Sequence, residues 1–375
     1  MDKYEYFWMC IRSNFLPGDI SGGTYIYEEI LKMKEGELAK KIGMTSKQIN
    51  YFMSTKQSLD IEREYELFLA SGARAVTLHD KDYPERLRFI DNRPYALFYY
   101  GDLPEEKAHS VAIIGTRNNS EYGKLMAESI AADLADKNIN IISGMAYGID
   151  GLSQMAALNA GGKSYGVIGS GVDICYPRAN KLLYERLKRE GGVISEYPIG
   201  RGAVADNFPY RNRIISGLSD IVIVIEAKLK SGTFITVDYA LSQGKEIMIV
   251  PGRVTDPMST GCNALLSQGA HVVQSADDVI RLMESYSVGD YIGKNVSNPF
   301  RTKELSSLVP KPSEKILLDR DENMVYSVLD FYALGPEDIA RSVNLDIFQI
   351  MNILIELELK GLIRETDKNL YVRCR

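Results

Sequence analysis

Histidine and cysteine are scarce in this chain, and each shortage removes a class of chemistry. Only His79, His109 and His271 occur in 375 residues, and the four cysteines Cys10, Cys175, Cys262 and Cys374 stand far apart without Cys-x-x-Cys spacing. Zinc sites and disulfide frameworks both need clustered ligands, so neither is indicated. No apolar run reaches the roughly 18 residues that a membrane-spanning helix requires. The opening MDKYEYFWMC also lacks the basic stretch and apolar core of an export signal. These absences lead to the expectation of a cytoplasmic protein with no membrane segment, no metal and no cofactor.

What is present is enough apolar material for more than one core. Hydrophobic residues make up 45% of the chain and charged residues 25%, which fits two or three folded domains rather than disorder. Residues 1–78 read as a helical module of short helices broken by polar turns, with ELAKKIGMTSKQINYFM resembling a helix-turn-helix around Gly43. Residues 79–285 begin with an extended lead-in containing two proline breaks and the apolar run Tyr95 to Tyr100. Residues 286–315, rich in turn formers and charge, read as a linker. Residues 316–375 give a helix, a Pro-Glu-Asp helix start, an amphipathic helix and two short strands, the order of a winged helix. Its second helix, DIFQIMNILIELELKG, is acidic, which favours protein contact over DNA reading.

From Ser110 onward, short β-branched runs alternate with helical patterns: VAIIG, INIISG, SYGVIG, GVISE, DIVIVIE, EIMIVPG and AHVVQ are the strands. Apolar strands separated by helices call for an α/β fold, a doubly wound parallel sheet covered on both faces. Ligands of such sheets sit beyond the carboxyl ends of the strands, so those loops are where binding residues belong.

The first loop is Gly115-Thr116-Arg117-Asn118-Asn119-Ser120, where a glycine permits close approach, Thr116 and Ser120 offer hydroxyls, and a helix N-terminus follows. The second runs from Ser143 through Gly144 and Gly148 to Asp150, expected to cap the next helix. The third carries Gly169 and Gly171, then Tyr-Pro, Arg178, Asn180 and Lys181. In the fourth, Phe208, Arg211, Asn212 and Arg213 combine a ring that can stack on bases with guanidiniums that can pair phosphates. In the fifth, Ser231, Gly232 and Thr233 open a helix and offer N–H donors.

Charge agrees with this rim. The net charge of −6 runs against nucleic acid, yet residues 110–275 hold 16 Lys/Arg against 15 Asp/Glu, and residues 178–213 hold 8 against 4. Nucleotide signatures are missing. There is no GxGxxG, no acidic residue closing the second strand to take a ribose diol, and no GxxxxGK[ST] loop. Catalytic sets are missing as well, because only His109 and His271 flank this region and no carboxylates stand out beyond Glu196 and Glu226. Both of these close apolar strands, where pairing with Arg211 or Arg213 is as good a reading as acid/base work. The expectation is a binding protein and not an enzyme, with no catalytic residues.

Taken together, GTRNNSEYG, SGMAYGID, GSGVDICYPRANKLL, SEYPIG, NFPYRNRIISGLSD, VIVIEAKLKSGT and PGRVTDPMSTGCNALLSQGA resemble the DNA-processing protein A family, DprA or Smf. The resemblance implies an extended Rossmann-like core, homodimerisation through that core, and binding of single-stranded DNA. It also implies delivery of the RecA recombinase onto that DNA, in natural transformation where the host is competent. It further implies that Arg117, Arg178, Lys181, Arg211 and Arg213 contact DNA. One departure is Gln154, where members of the family commonly carry a histidine.

Two other readings stay open. One is a nucleoside-monophosphate phosphoribohydrolase on a similar core, although Lys230 to Asp238 lacks the PGGxGTxxE motif of such enzymes. The other is a protein-interaction adaptor using the two terminal modules, which leaves the arginine loops unexplained.

Overall fold

The computed structural model describes residues 2–15, 27–285, 319–329, 334–343, 345–367 and 369–373. The segment 286–315, read above as a linker, lies outside the described residues. The chain divides into two units: one runs to Gly252 and resumes at Gly261, and the other contains the C-terminal helices.

Nine strands form the sheet of the first unit: β1 (Arg74–Thr77), β2 (Ala96–Gly101), β3 (Ser110–Ile114), β4 (Asn140–Ser143), β5 (Ser164–Val167), β6 (Gly191–Ser195), β7 (Ile221–Val224), β8 (Glu246–Ile249) and β9 (His271–Val272). Their spatial order is β1-β2-β6-β5-β4-β3-β7-β8-β9. From β6 across to β9 every pairing is parallel, while β2 and β1 extend the sheet antiparallel. The apolar run at Tyr95 is thus a strand of the sheet and not only a lead-in.

The strands are apolar throughout because both faces are covered. In β3, Val111 and Ile113 share a core with Ile130 and Leu134 of the helix Glu121–Asp136, while Ala112 and Ile114 share the opposite core with Ile214 and Leu218. Each fully buried Val, Leu or Ile contributes about 1.5–3 kcal/mol, so β3 is held by a buried layer on each face. The chain walks outward from β3 through β4 and β5 to β6, then returns to lay β7, β8 and β9 on the other side. β3 and β7 are therefore neighbours whose connections leave in opposite directions, the switch point at which ligands of open α/β sheets bind.

The N-terminal helices do not form a separate body ending at residue 78, as the composition suggested. β1 precedes that position and pairs with β2 beyond it, Arg74 opposite Tyr99 and Thr77 opposite Ala96. Tyr6 stacks on Phe68 at 4.9 Å and meets Phe98 of β2 edge-on at 6.0 Å, so aromatic packing joins the helices to the sheet. The passage from helix to strand falls at residues 71–74, just before the expected boundary. No helix among the described residues is long and apolar enough to cross a membrane.

The second unit has the helices Arg320–Val328, Pro336–Val343 and Ile347–Leu359, followed by the hairpin β10 (Ile363–Asp367) and β11 (Leu370–Arg373). Asp319 and Glu322 cap the first helix reciprocally, each side chain accepting from the other's backbone N–H. Val325, Ile339, Ile350, Leu354, Leu357 and Tyr371 form its core. This is the winged helix expected from the sequence.

Candidate nucleic-acid interface

The loops that follow β3, β4, β5, β6 and β7 all emerge at the carboxyl edge of the sheet, and each is pinned by polar contacts from a neighbour. The first is held by Glu226, which follows β7: its carbonyl accepts from the Thr116 N–H (2.9 Å), and its carboxylate accepts from the Ser120 N–H (2.9 Å) and the Ser120 hydroxyl. Ser120 Oγ in turn accepts from the Gly123 N–H at 3.0 Å and so caps the helix Glu121–Asp136, as its position predicted. Arg117, between these anchors, is exposed.

The second loop interlocks with the first. The Ile149 N–H donates to the Thr116 carbonyl at 3.2 Å. Gly148 adopts a φ of 73° there, and a Cβ on it would stand 2.4 Å from the same carbonyl, so only glycine fits. Asp150 does not cap the helix Ile149–Asn159: it reaches back to accept from the Gly144 N–H at 3.0 Å. Gln154, at the departure noted above, is buried and accepts from the Met145 N–H at 3.1 Å, giving this position a structural task that an amide can perform.

Asn180 was expected to touch the ligand. Its amide is spent on the second loop, donating to the carbonyls of Met145 and Ala146 at 3.0 Å each. Arg178 and Lys181, on either side of it, are exposed. Gly169 and Gly171 are buried beneath this loop, Gly169 against the ring of Phe208 and Gly171 against the turn at Pro198. Phe208 is half-buried, with Tyr176 tilted over it at 5.3 Å between ring centres.

Arg211 and Arg213 require the main correction. Arg213 is 1% exposed and forms a two-pronged pair with Glu196 (2.5 and 2.8 Å), donates to the Asn92 carbonyl at 2.8 Å, and lies over the Tyr210 ring. Arg211 is also buried. It donates to the carbonyls of Gly144 and Val167, tying the ends of β4 and β5 together, and lies beside Asp150. Burial lowers Arg211 to about 10 against the pull of Asp150, and burial likewise raises the Asp150 carboxyl. Asn212, half-buried, accepts from Arg211 Nε at 3.2 Å. Both guanidiniums are buried and held by protein partners, and so brace the rim; without those partners a buried guanidinium would be too costly to keep. Of the two carboxylates considered for arginine pairing, Glu196 does pair with Arg213, while Glu226 serves Ser120 instead.

In the fifth loop, Ser231 Oγ accepts from the Thr233 N–H at 3.0 Å, so that donor is already used, and Gly232 is exposed. Lys228 and Lys230 beside it are exposed. The sequence reading passed over Tyr147 and Tyr176, about half exposed, and Arg201, which is exposed after β6. An aromatic inside a glycine-rich loop, where there is no core for it to fill, was the available signal.

The outer rim therefore presents Arg117, Arg178, Lys181, Arg201, Lys228 and Lys230 around Tyr147 and Tyr176. Among the described residues no group of three His, Cys, Asp or Glu is arranged to hold a metal ion. In the winged helix, the helix Ile347–Leu359 exposes Phe348, Ile355 and Leu359 beside Glu356 and Glu358, a face suited to apolar contact and not to phosphate.

Fold and rim together define a Rossmann-like α/β protein with a cationic, aromatic-bearing edge. Residues 74–284 match the family model described as DNA recombination-mediator protein A, and residues 309–367 match the DprA winged helix domain. The chain belongs to the DNA-processing protein A (DprA/Smf) family. It is 42% identical over 210 residues to the DNA processing protein DprA of Streptococcus pneumoniae, covering 56% of this chain and 74% of that one. The X-ray structure of DNA processing protein A from Streptococcus pneumoniae superposes with a TM-score of 0.64 at 33% identity, over 75% of this chain and 98% of that one. A Helicobacter pylori structure, described as giving insight into the single-stranded DNA binding mode of DNA processing protein A, superposes with a TM-score of 0.52 at 29% identity, over 58% of this chain and 99% of that one.

Proposed function

We propose that this protein binds single-stranded DNA along the carboxyl rim of its sheet and acts in DNA uptake and recombination in the cytoplasm, as a homodimer that delivers RecA onto the bound strand. The observation that carries the DNA reading is that Arg117, Arg178 and Lys181 project from the rim while the helix terminus behind them is filled by the Glu226 carboxylate. A cofactor phosphate would need that terminus, whereas a strand running along the outside needs only the projecting cations. Tyr147, Tyr176 and Phe208 support a single strand over a duplex, since unpaired bases can stack on rings. The single-stranded DNA binding mode described for the Helicobacter pylori relative supports the same reading. The RecA and dimer components rest on the family resemblance.

The test is oligonucleotide binding by the full chain. Single-stranded DNA is expected to bind more tightly than duplex, and Arg117→Ala and Arg178→Ala are each expected to weaken it about tenfold, as loss of a charge-assisted contact implies. Affinity indifferent to both substitutions would overturn the proposal. Turnover of a nucleoside monophosphate by the same preparation would favour the phosphoribohydrolase reading.

A further inference from the structure

Glu226 is 1% exposed, and a buried carboxylate is an expensive choice unless its position matters. It holds the first rim loop at both ends, Thr116 through its backbone and Ser120 through its side chain, with Arg117 between the two. It also stands at the mouth of the helix Glu121–Asp136, where the dipole and free N–H groups favour an anion. The fold makes room for it: a Cβ on Gly123 would stand 2.2 Å from Glu226 Oε2. A built-in anion thus occupies the place that the fold otherwise offers to the phosphate of a free nucleotide.

Resting on the single-stranded DNA reading above, we propose that Glu226 is a positioning and specificity residue of the rim: it fixes Thr116 to Ser120 so that Arg117 meets a strand phosphate, and it denies the helix terminus to free nucleotides. The first half follows from the two-ended clamp, because a loop held at one end leaves its central arginine free to swing. The second follows from occupancy, because a phosphate would have to displace a buried carboxyl group that already accepts from the Ser120 N–H at 2.9 Å.

The experiment is a double-mutant cycle in the full-length protein with an oligodeoxythymidylate, using Glu226→Ala, Arg117→Ala and both together. Alongside it, melting temperatures of wild type and Glu226→Ala are measured with and without AMP or inorganic phosphate. Glu226→Ala is expected to lose about tenfold in affinity, comparable to Arg117→Ala, and the double variant to lose no more than either. AMP or phosphate is expected to raise the melting temperature of Glu226→Ala and not that of wild type. Additive losses would show general structural damage and overturn the positioning role; so would wild-type affinity in Glu226→Ala when Arg117→Ala is impaired. Should Arg117→Ala bind as wild type, the positioning role falls, and the DNA reading of the rim falls with it if Arg178→Ala is also indifferent, while the nucleotide measurement still decides the exclusion. Absence of an AMP or phosphate effect on folded Glu226→Ala overturns the exclusion. If Glu226→Ala does not fold, Ser120→Ala removes one donor to the clamp, together with the helix cap to Gly123, and leaves Glu226 in place. A smaller, non-additive loss in that variant supports the positioning role, and no loss or an additive one overturns it.

Discussion

Two arginines two positions apart, Arg211 and Arg213, are both buried because each has been recruited by a different part of the scaffold. Arg213 is satisfied on all sides by Glu196, Asn92 and the Tyr210 ring. Removing one member of such a pair leaves the other buried and uncompensated, which costs about 3–5 kcal/mol. Arg213→Ala is therefore expected to lose that much stability in denaturant unfolding, and, where it remains folded, to keep the salt dependence of oligonucleotide binding unchanged. A shallower salt dependence in folded Arg213→Ala would mean that its guanidinium reaches phosphate after all. The motif Arg-Asn-Arg was legible as important, but the reason was not. Arg213 finds its carboxylate at Glu196 and Arg211 finds carbonyls at Gly144 and Val167, and such long-range partners leave no trace in local spacing. Arg117, Arg178 and Lys181, expected from the resemblance to contact DNA, are exposed, as that expectation requires.

At the level of elements, the first helix after β3 is organised around a missing methyl group. Alanine in a helix is ordinarily preferred over glycine by about 0.5–1 kcal/mol. At Gly123 that preference reverses, since the added carbon would collide with Glu226. Gly123→Ala is expected to destabilise the protein by about 1–3 kcal/mol, as overpacking does, and chemical denaturation measures it. Stabilisation instead would mean that the carboxylate is free to leave the helix mouth. The alternation of strand and helix in this region was readable because both faces of a parallel sheet are buried and the strands stand out as apolar runs between glycines. β1 and the packing of the N-terminal helices were not, because RAVT is short and weakly patterned and the aromatic contacts that hold it are distant in sequence.

Over the whole molecule, charge is divided by location more than by amount. Residues 319–373 contain eleven Asp/Glu and six Lys/Arg, so the winged helix carries much of the net −6, while the rim gathers exposed cations. If three of these, Arg117, Arg178 and Lys181, contact phosphates, the logarithm of single-strand affinity is expected to fall with the logarithm of salt at a slope near −2, about −0.7 per contact. A slope near −4 would bring Arg201, Lys228 and Lys230 into the contact, and a slope near zero would remove the rim from DNA binding.

The sheet ends very differently at its two margins. On one side β1 and β2 close it with antiparallel strands backed by aromatic packing; on the other it stops at β9, a strand of two exposed residues, His271 and Val272. A margin so brief exposes few unsatisfied backbone groups and cannot template the edge-to-edge growth that leads to fibres. The nine-stranded sheet thus has no long open backbone ladder on its β9 side. Any association of copies through that side would have to be written in side chains rather than in a continued backbone ladder.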